Sequence, residues 1–181
     1  CTALKEANFP KATTLHSATF KDCTALEVVY MPQVNAVHYT GTAAKPNYNS
    51  ATFEGCASLH TVTLGALEII PNNTFKGCVN LVNFTLPATV VTIGNYAFEN
   101  TALTEINLPE GLTSVGTMAF YGNNFTELNI PGSLSSIGAG AFANCQNLAG
   151  FTVASSNAWY KTDAELAVTN KAFVGSLFNI E

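Results

Sequence analysis

The chain reads as a β-rich α/β solenoid. Short parallel strands would stack into one sheet on the concave side, and short helical turns and irregular segments would complete each coil. Three observations carry this. A Phe that follows Ala or Thr recurs at Phe20, Phe53, Phe75, Phe98, Phe120, Phe142 and Phe173, in steps of 33, 22, 23, 22, 22 and 31 residues. After each of the first six comes an alternating apolar pair: Val29/Met31, Val62/Leu64, Phe84/Leu86, Ile106/Leu108, Leu128/Ile130 and Phe151/Val153. Such alternation over four to five residues is the pattern of a strand with one buried face. Pro32, Pro87, Pro109 and Pro131 then close the strand, because proline has no N–H to continue a ladder.

The remaining columns follow the same period. Five residues before the Phe stand Leu15, Tyr48, Ile70, Ile93, Val115, Ile137 and Val168. Three earlier, the central coils have Leu67, Val90, Leu112 and Leu134, and after the Phe comes Leu26, Leu59, Leu81, Leu103, Phe125 or Leu148. A period of 22 with fixed apolar positions is the signature of a leucine-rich type of solenoid. One such unit cannot bury its apolar face alone, so stability must come from stacking. Seven strands at ~4.7–4.9 Å would give a parallel sheet roughly 30 Å long. The two enlarged steps place insertions at about 33–46 and 154–165, within a single solenoid over residues 1–181 of six to seven coils. Both ends read as mid-coil. Cys1-Thr2-Ala3-Leu4 superposes on Cys23-Thr24-Ala25-Leu26, and Phe178 falls where Leu103 falls, so the chain reads as a segment of a longer array. The alternative for Cys1 is the acylated N-terminal cysteine of a bacterial lipoprotein; the in-register alignment favours the coil.

Composition narrows the function. The chain is 48% hydrophobic but only 10% charged, with a formal net charge of −5. Few Lys and Arg argue against a nucleic-acid partner and against an anionic membrane surface. No run of 18 apolar residues is present, so the sequence holds no membrane-spanning helix.

The chemistry-bearing residues follow the repeat rather than a catalytic pattern. Cys1, Cys23, Cys56, Cys78 and Cys145 share one column, three residues after the Phe position, as small buried fillers. Cys56 and Cys78 lie on adjacent coils, where a disulfide is the alternative. No CxxC and no nearby His pair suggests zinc. His16, His38 and His60 fall at three different repeat positions, and no catalytic role is assigned to them. No cofactor is expected, and no enzyme. The strand residues between the buried ones would line the concave face, the natural ligand surface of a curved solenoid. They include Tyr30, Thr61, Thr63, Asn83, Thr85, Glu105, Asn107, Glu127 and Asn129. Glu105 and Glu127 would be neighbouring like charges, too few oxygens for a calcium site. The insertions add Tyr39, Trp159 and Tyr160, since function concentrates on loops that a rigid scaffold presents.

Ile93-Gly94, Ala97-Phe98, Leu103, Ile106 and Leu108-Pro109, with Gly55-Cys56 to Leu59 and Gly77-Cys78 to Leu81, resemble the unit of the BspA-like leucine-rich repeat family. This family, also called the Treponema pallidum type, is found in bacterial and some protozoal surface proteins. The resemblance covers roughly residues 1–32 and 48–153. It departs at the two insertions, at Gly65 and Ala154 where Pro is missing, and in the Phe98 and Phe120 coils, which lack the cysteine. It implies a curved solenoid, a cell-surface or secreted location, with a lipid or wall anchor in the full-length protein, and adhesion to a protein or a glycan. The leading expectation is therefore a non-enzymatic module that binds protein, host matrix proteins included, through the concave sheet and the insertions. The alternatives are a spacer array without a ligand and a glycan-binding module using Trp159, Tyr160 and Tyr30. The chain is expected to be a monomer or to associate weakly end to end, because exposed end strands can pair edge to edge.

Overall fold

The computed structural model of the protein describes residues 1–38, 41–42, 45–46 and 49–153. Three stacked features hold each coil to the next: a row of longer strands, a row of two-residue strands, and a turn built around the recurring Phe.

The longer strands form where the apolar alternation places them at both ends of the described chain. Glu6–Asn8, Val28–Met31 and Thr61–Leu64 make a three-stranded parallel sheet, with Ala7 opposite Val29 and Val29 opposite Val62. Glu127–Ile130 pairs in parallel with Gly150–Val153. Ala7, Val29, Met31, Leu128 and Ile130 are buried while their neighbours along the strand face outward, as a strand with one covered face requires. The continuous sheet of seven strands expected from the period is interrupted between these two pieces. There Phe84, Leu86 and Ile106 still turn inward, but residues 82–86 and 104–108 form no ladder. On this side the two coils meet where the Ala102 N–H donates to the Leu81 carbonyl and the Thr104 N–H to the Val82 carbonyl, both at 3.2 Å. Nothing in the structure singles out a cause for the break.

The second row explains the Ile-Gly dipeptide. Ile69–Ile70, Thr92–Ile93, Ser114–Val115 and Ser136–Ile137 form a four-stranded parallel sheet. The glycine after each of the last three donates its N–H at 2.8 Å to the coil before: Gly94 to the Ile70 carbonyl, Gly116 to Ile93 and Gly138 to Val115. The backbones approach so closely that a Cβ at Gly94 would sit 2.6 Å from the Asn72 nitrogen, and one at Gly138 would sit 2.3 Å from that of Thr117. Glycine is required here by proximity. Pro71 occupies the same position one coil earlier and is buried. Without an N–H it cannot donate backwards, and the four-stranded sheet ends at Ile69–Ile70.

On the other side of that end, Thr14–Leu15 pairs with Ala36–Val37, with Leu15 opposite Val37. Gln33 to Val37, placed in the insertion by the sequence alignment, therefore keep the coil's register: Val34 is fully buried and its N–H donates to the Met31 carbonyl at 3.2 Å, as Leu112 donates to Pro109 at 2.9 Å. In this coil Val37 stands in the column, opposite Leu15; the expected column residue, Tyr48, lies outside the described residues. The register also corrects the histidines. His16 and His38 occupy the same column, and their rings stack at 4.8 Å.

The Phe turn runs without a break through all described coils. Phe20, Phe53, Phe75, Phe98, Phe120 and Phe142 stack with ring centroids 5.1 to 5.5 Å apart and planes within 18°. Two residues before each Phe stand Ala18, Ala51, Asn73, Tyr96, Met118 and Gly140, and two after stand Asp22, Gly55, Gly77, Asn100, Gly122 and Asn144; all have φ between 46° and 75°. A left-handed residue on each side cannot belong to a right-handed helix. The short helical turns expected from the sequence are accordingly absent among the described residues, and hydrogen-bonded non-helical turns replace them, as where the Lys76 N–H donates to the Asn73 carbonyl at 3.3 Å and the Cys78 N–H to that of Phe75 at 3.1 Å. The N–H groups of these positions reach the next coil, as from Asn73 to Asn95 at 3.0 Å, Phe75 to Ala97 at 2.8 Å and Gly77 to Glu99 at 2.8 Å.

The cysteine column completes this turn. Cys56 Sγ donates to the Phe20 carbonyl at 3.0 Å, Cys78 to Phe53 at 3.1 Å and Cys145 to Phe120 at 3.3 Å. In one of the two coils without cysteine, Asn123 Nδ2 does the same to the Phe98 carbonyl at 2.8 Å. In the other, Thr101 Oγ1 donates to Asn123 Oδ1 at 2.5 Å. The column is thus a row of buried donors and not only of fillers. All five cysteines are free thiols, and only Cys1 is exposed. Burial pushes the Cys56 thiol up to about 12 and that of Cys145 up to about 11, and raises Cys78 as well.

Cutting Phe98 to Ala removes a fully buried ring and should cost about 3–5 kcal/mol in a denaturant melt; a neutral result would refute the stack as the source of stability. Gly94→Ala should cost about 1–3 kcal/mol by overpacking, whereas the same change at Gly111, where a Cβ meets nothing, should be close to neutral. The thiols set a pH dependence. Cys56, Cys78 and Cys145 stay protonated in the fold, and an unfolded thiol ionises near ~8.5. Their stabilisation is therefore complete below that value and is lost as pH rises through it toward the folded values. Urea midpoints should fall between pH 8.5 and 11 by this route (the ~8.5 being the unfolded thiol value), and a Cys56→Ser variant should show a smaller fall. In native protein at pH 8, a chromogenic disulfide reagent should modify Cys1 alone.

Candidate functional site

The strand face presents two rows. In the first, Glu6, Val28 and Thr61 lie opposite one another, as do Glu127 and Gly150. In the second, Asn8, Tyr30 and Thr63 are in register, as are Asn129 and Thr152. Period-two alternation sends these side chains outward because their neighbours fill the core. Asn83, Thr85, Glu105 and Asn107 are exposed too, but they stand on the interrupted segments and not in a ladder. The break thus divides the nine expected face residues. Tyr30, Thr61 and Thr63 belong to one sheet, Glu127 and Asn129 to the other, and the remaining four lie between. Tyr30 is 44% exposed, the one large aromatic on these rows. Asn129 accepts a short hydrogen bond from Thr152 Oγ1, which ties two outward side chains together. Tyr39, Trp159 and Tyr160 lie outside the described residues.

The face is acidic and polar. The three ion pairs among the described residues, Lys5–Glu27 at 3.0 Å, Lys21–Glu54 at 3.1 Å and Lys76–Glu99 at 2.7 Å, leave out Glu105 and Glu127. The hydrogen bond to Glu99 holds the Lys76 ammonium above its ordinary range, and its nitrogen also lies 5.1 Å from the Tyr96 ring centre. The last two join neighbouring coils along the Phe turn and the first joins them just before the longer strands, so all three belong to the scaffold. Among the described residues no group of three or more His, Cys, Asp or Glu could hold a metal ion. The stacked His16 and His38 are the one titratable pair that alignment on the Phe column hid.

A second feature was legible only in part. Between the edges Ala36–Val37 and Ile69–Ile70 the coils part, and an open cavity of about 540 Å³ lies there, lined by Asn35, Ala36, Val37, Glu68, Ile69 and Pro71 among others. The coils close again at both ends of it. A Cβ at Gly65 would meet the Val34 carbonyl at 2.5 Å, and Asn49 bridges to Asn72. The sequence signal for it is Pro71, standing where the regular coils have glycine.

The model of the BspA type leucine rich repeat region matches residues 46–164 in six copies. The chain is similar in structure to a leucine-rich cell surface protein from Faecalibacterium prausnitzii, at TM-score 0.69 and 24% identity, over 86% of this chain and 40% of that one. It is also similar to a leucine-rich repeat protein from Bacteroides ovatus, at TM-score 0.51 and 23% identity, over 82% of this chain and 33% of the other. The chain thus spans well under half of each of these two proteins. No curated protein matches it.

Proposed function

The chain belongs to the BspA type leucine-rich repeat family, and from that membership we propose that it is a non-enzymatic interaction module that binds protein at the outside of the cell. The observation that carries this reading is the strand face. It is an outward, polar surface with one exposed aromatic, Tyr30, and, further along, Glu105 and Glu127, which take part in none of the ion pairs among the described residues. An aromatic anchor ringed by adaptable polar groups is a common composition for a protein interface. The extracellular placement draws support from the F. prausnitzii relative, which is described as a cell surface protein. Among the described residues no helix is long and apolar enough to cross a membrane. Asn83, Thr85, Glu105, Asn107, Glu127 and Asn129 would extend the contact along the array, and Tyr39, Trp159 and Tyr160 would contribute from the insertions.

The test is a panel of immobilised extracellular-matrix and cell-surface proteins probed with the chain. At least one should bind. The double variant Tyr30→Ala, Glu105→Lys should weaken that binding by about tenfold or more, on the scale of a single hot spot, without shifting the thermal midpoint. Binding that ignores both substitutions would remove the strand face from the proposal, and a panel without any binder would favour a spacer array instead.

A further inference from the structure

We propose that the cavity between Ala36–Val37 and Ile69–Pro71 is a docking slot for a short extended peptide carrying a basic side chain. The inference rests on the reading of the chain as a protein-binding module and names a second place and a chemistry for it. The first support is the main chain. Two strand edges face each other across the cavity, and among the described residues neither is paired on that side. The register shows which groups stay open. His38 spends its N–H on the Leu15 carbonyl at 2.7 Å, and the Glu68 and Ile70 carbonyls already accept from Thr92 at 3.3 Å and from Gly94 at 2.8 Å. What remains toward the cavity is one N–H and one carbonyl each on Val37 and Ile69. A single extended segment can meet both, because alternate residues of a strand turn their polar groups to opposite sides. This is recognition by strand addition, in which main-chain bonds give affinity and side-chain pockets give preference.

The second support is why the slot is open. In the regular coils a glycine N–H closes this gap, as Gly94, Gly116 and Gly138 do. Pro71 has none. The third support is charge. Glu68 lines the cavity, is exposed and takes part in none of the ion pairs among the described residues. Among the described residues no Lys or Arg lines the slot. A Lys or Arg of the peptide would supply the missing partner. The walls beneath are apolar, with Leu67 almost fully buried, which suits the small flanking side chains of an extended segment.

The test uses the isotope-labelled chain and blocked tripeptides with Lys, or alternatively Glu, at the centre and Val on both sides. Amide shifts should concentrate at Val37 and Ile69. The Lys peptide should bind about tenfold better than the Glu peptide, the scale of one charge-assisted contact. A backbone N-methylated Lys peptide should lose binding by a similar factor. Glu68→Gln should erase the preference for Lys while leaving binding of both peptides. Pro71→Gly restores the residue and the donor of the regular coils, so it should fold, close the slot and abolish the shifts. Shifts spread over the strand face, equal binding to the Pro71→Gly variant, or no shift at Val37 and Ile69 with any of the peptides would overturn the slot. None of these results bears on Tyr30 and Glu105, so the fate of the strand face is read separately from the protein panel.

Discussion

The structure depends on one constraint: the turn around the stacked Phe must repeat with the same path in every coil. Its rings stand 5.1 to 5.5 Å apart, slightly more than the ~4.7–4.9 Å of a strand ladder. Its N–H groups donate from one coil to the next, and the buried donors of the cysteine column satisfy the Phe carbonyls from behind. The same carbonyls also accept the N–H three residues on, as Phe20 does from Cys23 at 3.0 Å and Phe53 from Cys56 at 3.1 Å, so the column side chain adds a second bond to each, and Asn123 can supply it where cysteine is absent. Of the three inter-coil features, this is the one without a gap.

That continuity permits the other two to fail, and they fail at different junctions. The longer strands lose their ladder between Thr61–Leu64 and Glu127–Ile130, where the two-residue strands from Ile69 to Ile137 are continuous. The two-residue strands part between Val37 and Ile69, where the longer strands are paired. No junction is without at least one sheet. The breaks are also the places where backbone and side chains become available to something else, so the variation that gives this array individuality is confined to where the stack tolerates it.

Much of this was legible in the residues. Phe98, Phe120 and the Ile-Gly dipeptides announce the period. The left-handed position after each Phe is announced by Asp22, Gly55, Gly77, Asn100, Gly122 and Asn144, all residue types that accept positive φ. The position two before the Phe carries no such signal. Tyr96 and Met118 sit there at φ 58° and 50° because the hydrogen bonds of the neighbouring coils require it, and local preference is overruled. The same holds for the thiols. Composition suggested small apolar fillers, while the fold uses Sγ–H as a donor. Alignment on Phe alone put Tyr48 in the column of Leu15 and separated His16 from His38. Only the strand register, with Val37 opposite Leu15, brings the two imidazoles together, since pairing is decided by which backbone lies alongside and not by distance along the chain.

By itself, then, the sequence determined the repeat, the buried columns, the parallel direction of the strands and the family, because each follows from side-chain periodicity that every coil repeats. The tertiary structure alone decided which segments complete a ladder, where the coils part, and that the Phe turn is not helical. Those outcomes depend on backbone groups of one coil meeting those of another. Main-chain donors and acceptors are the same in every residue but proline, so the side-chain pattern that names the architecture is nearly silent about them, and it speaks at prolines such as Pro71.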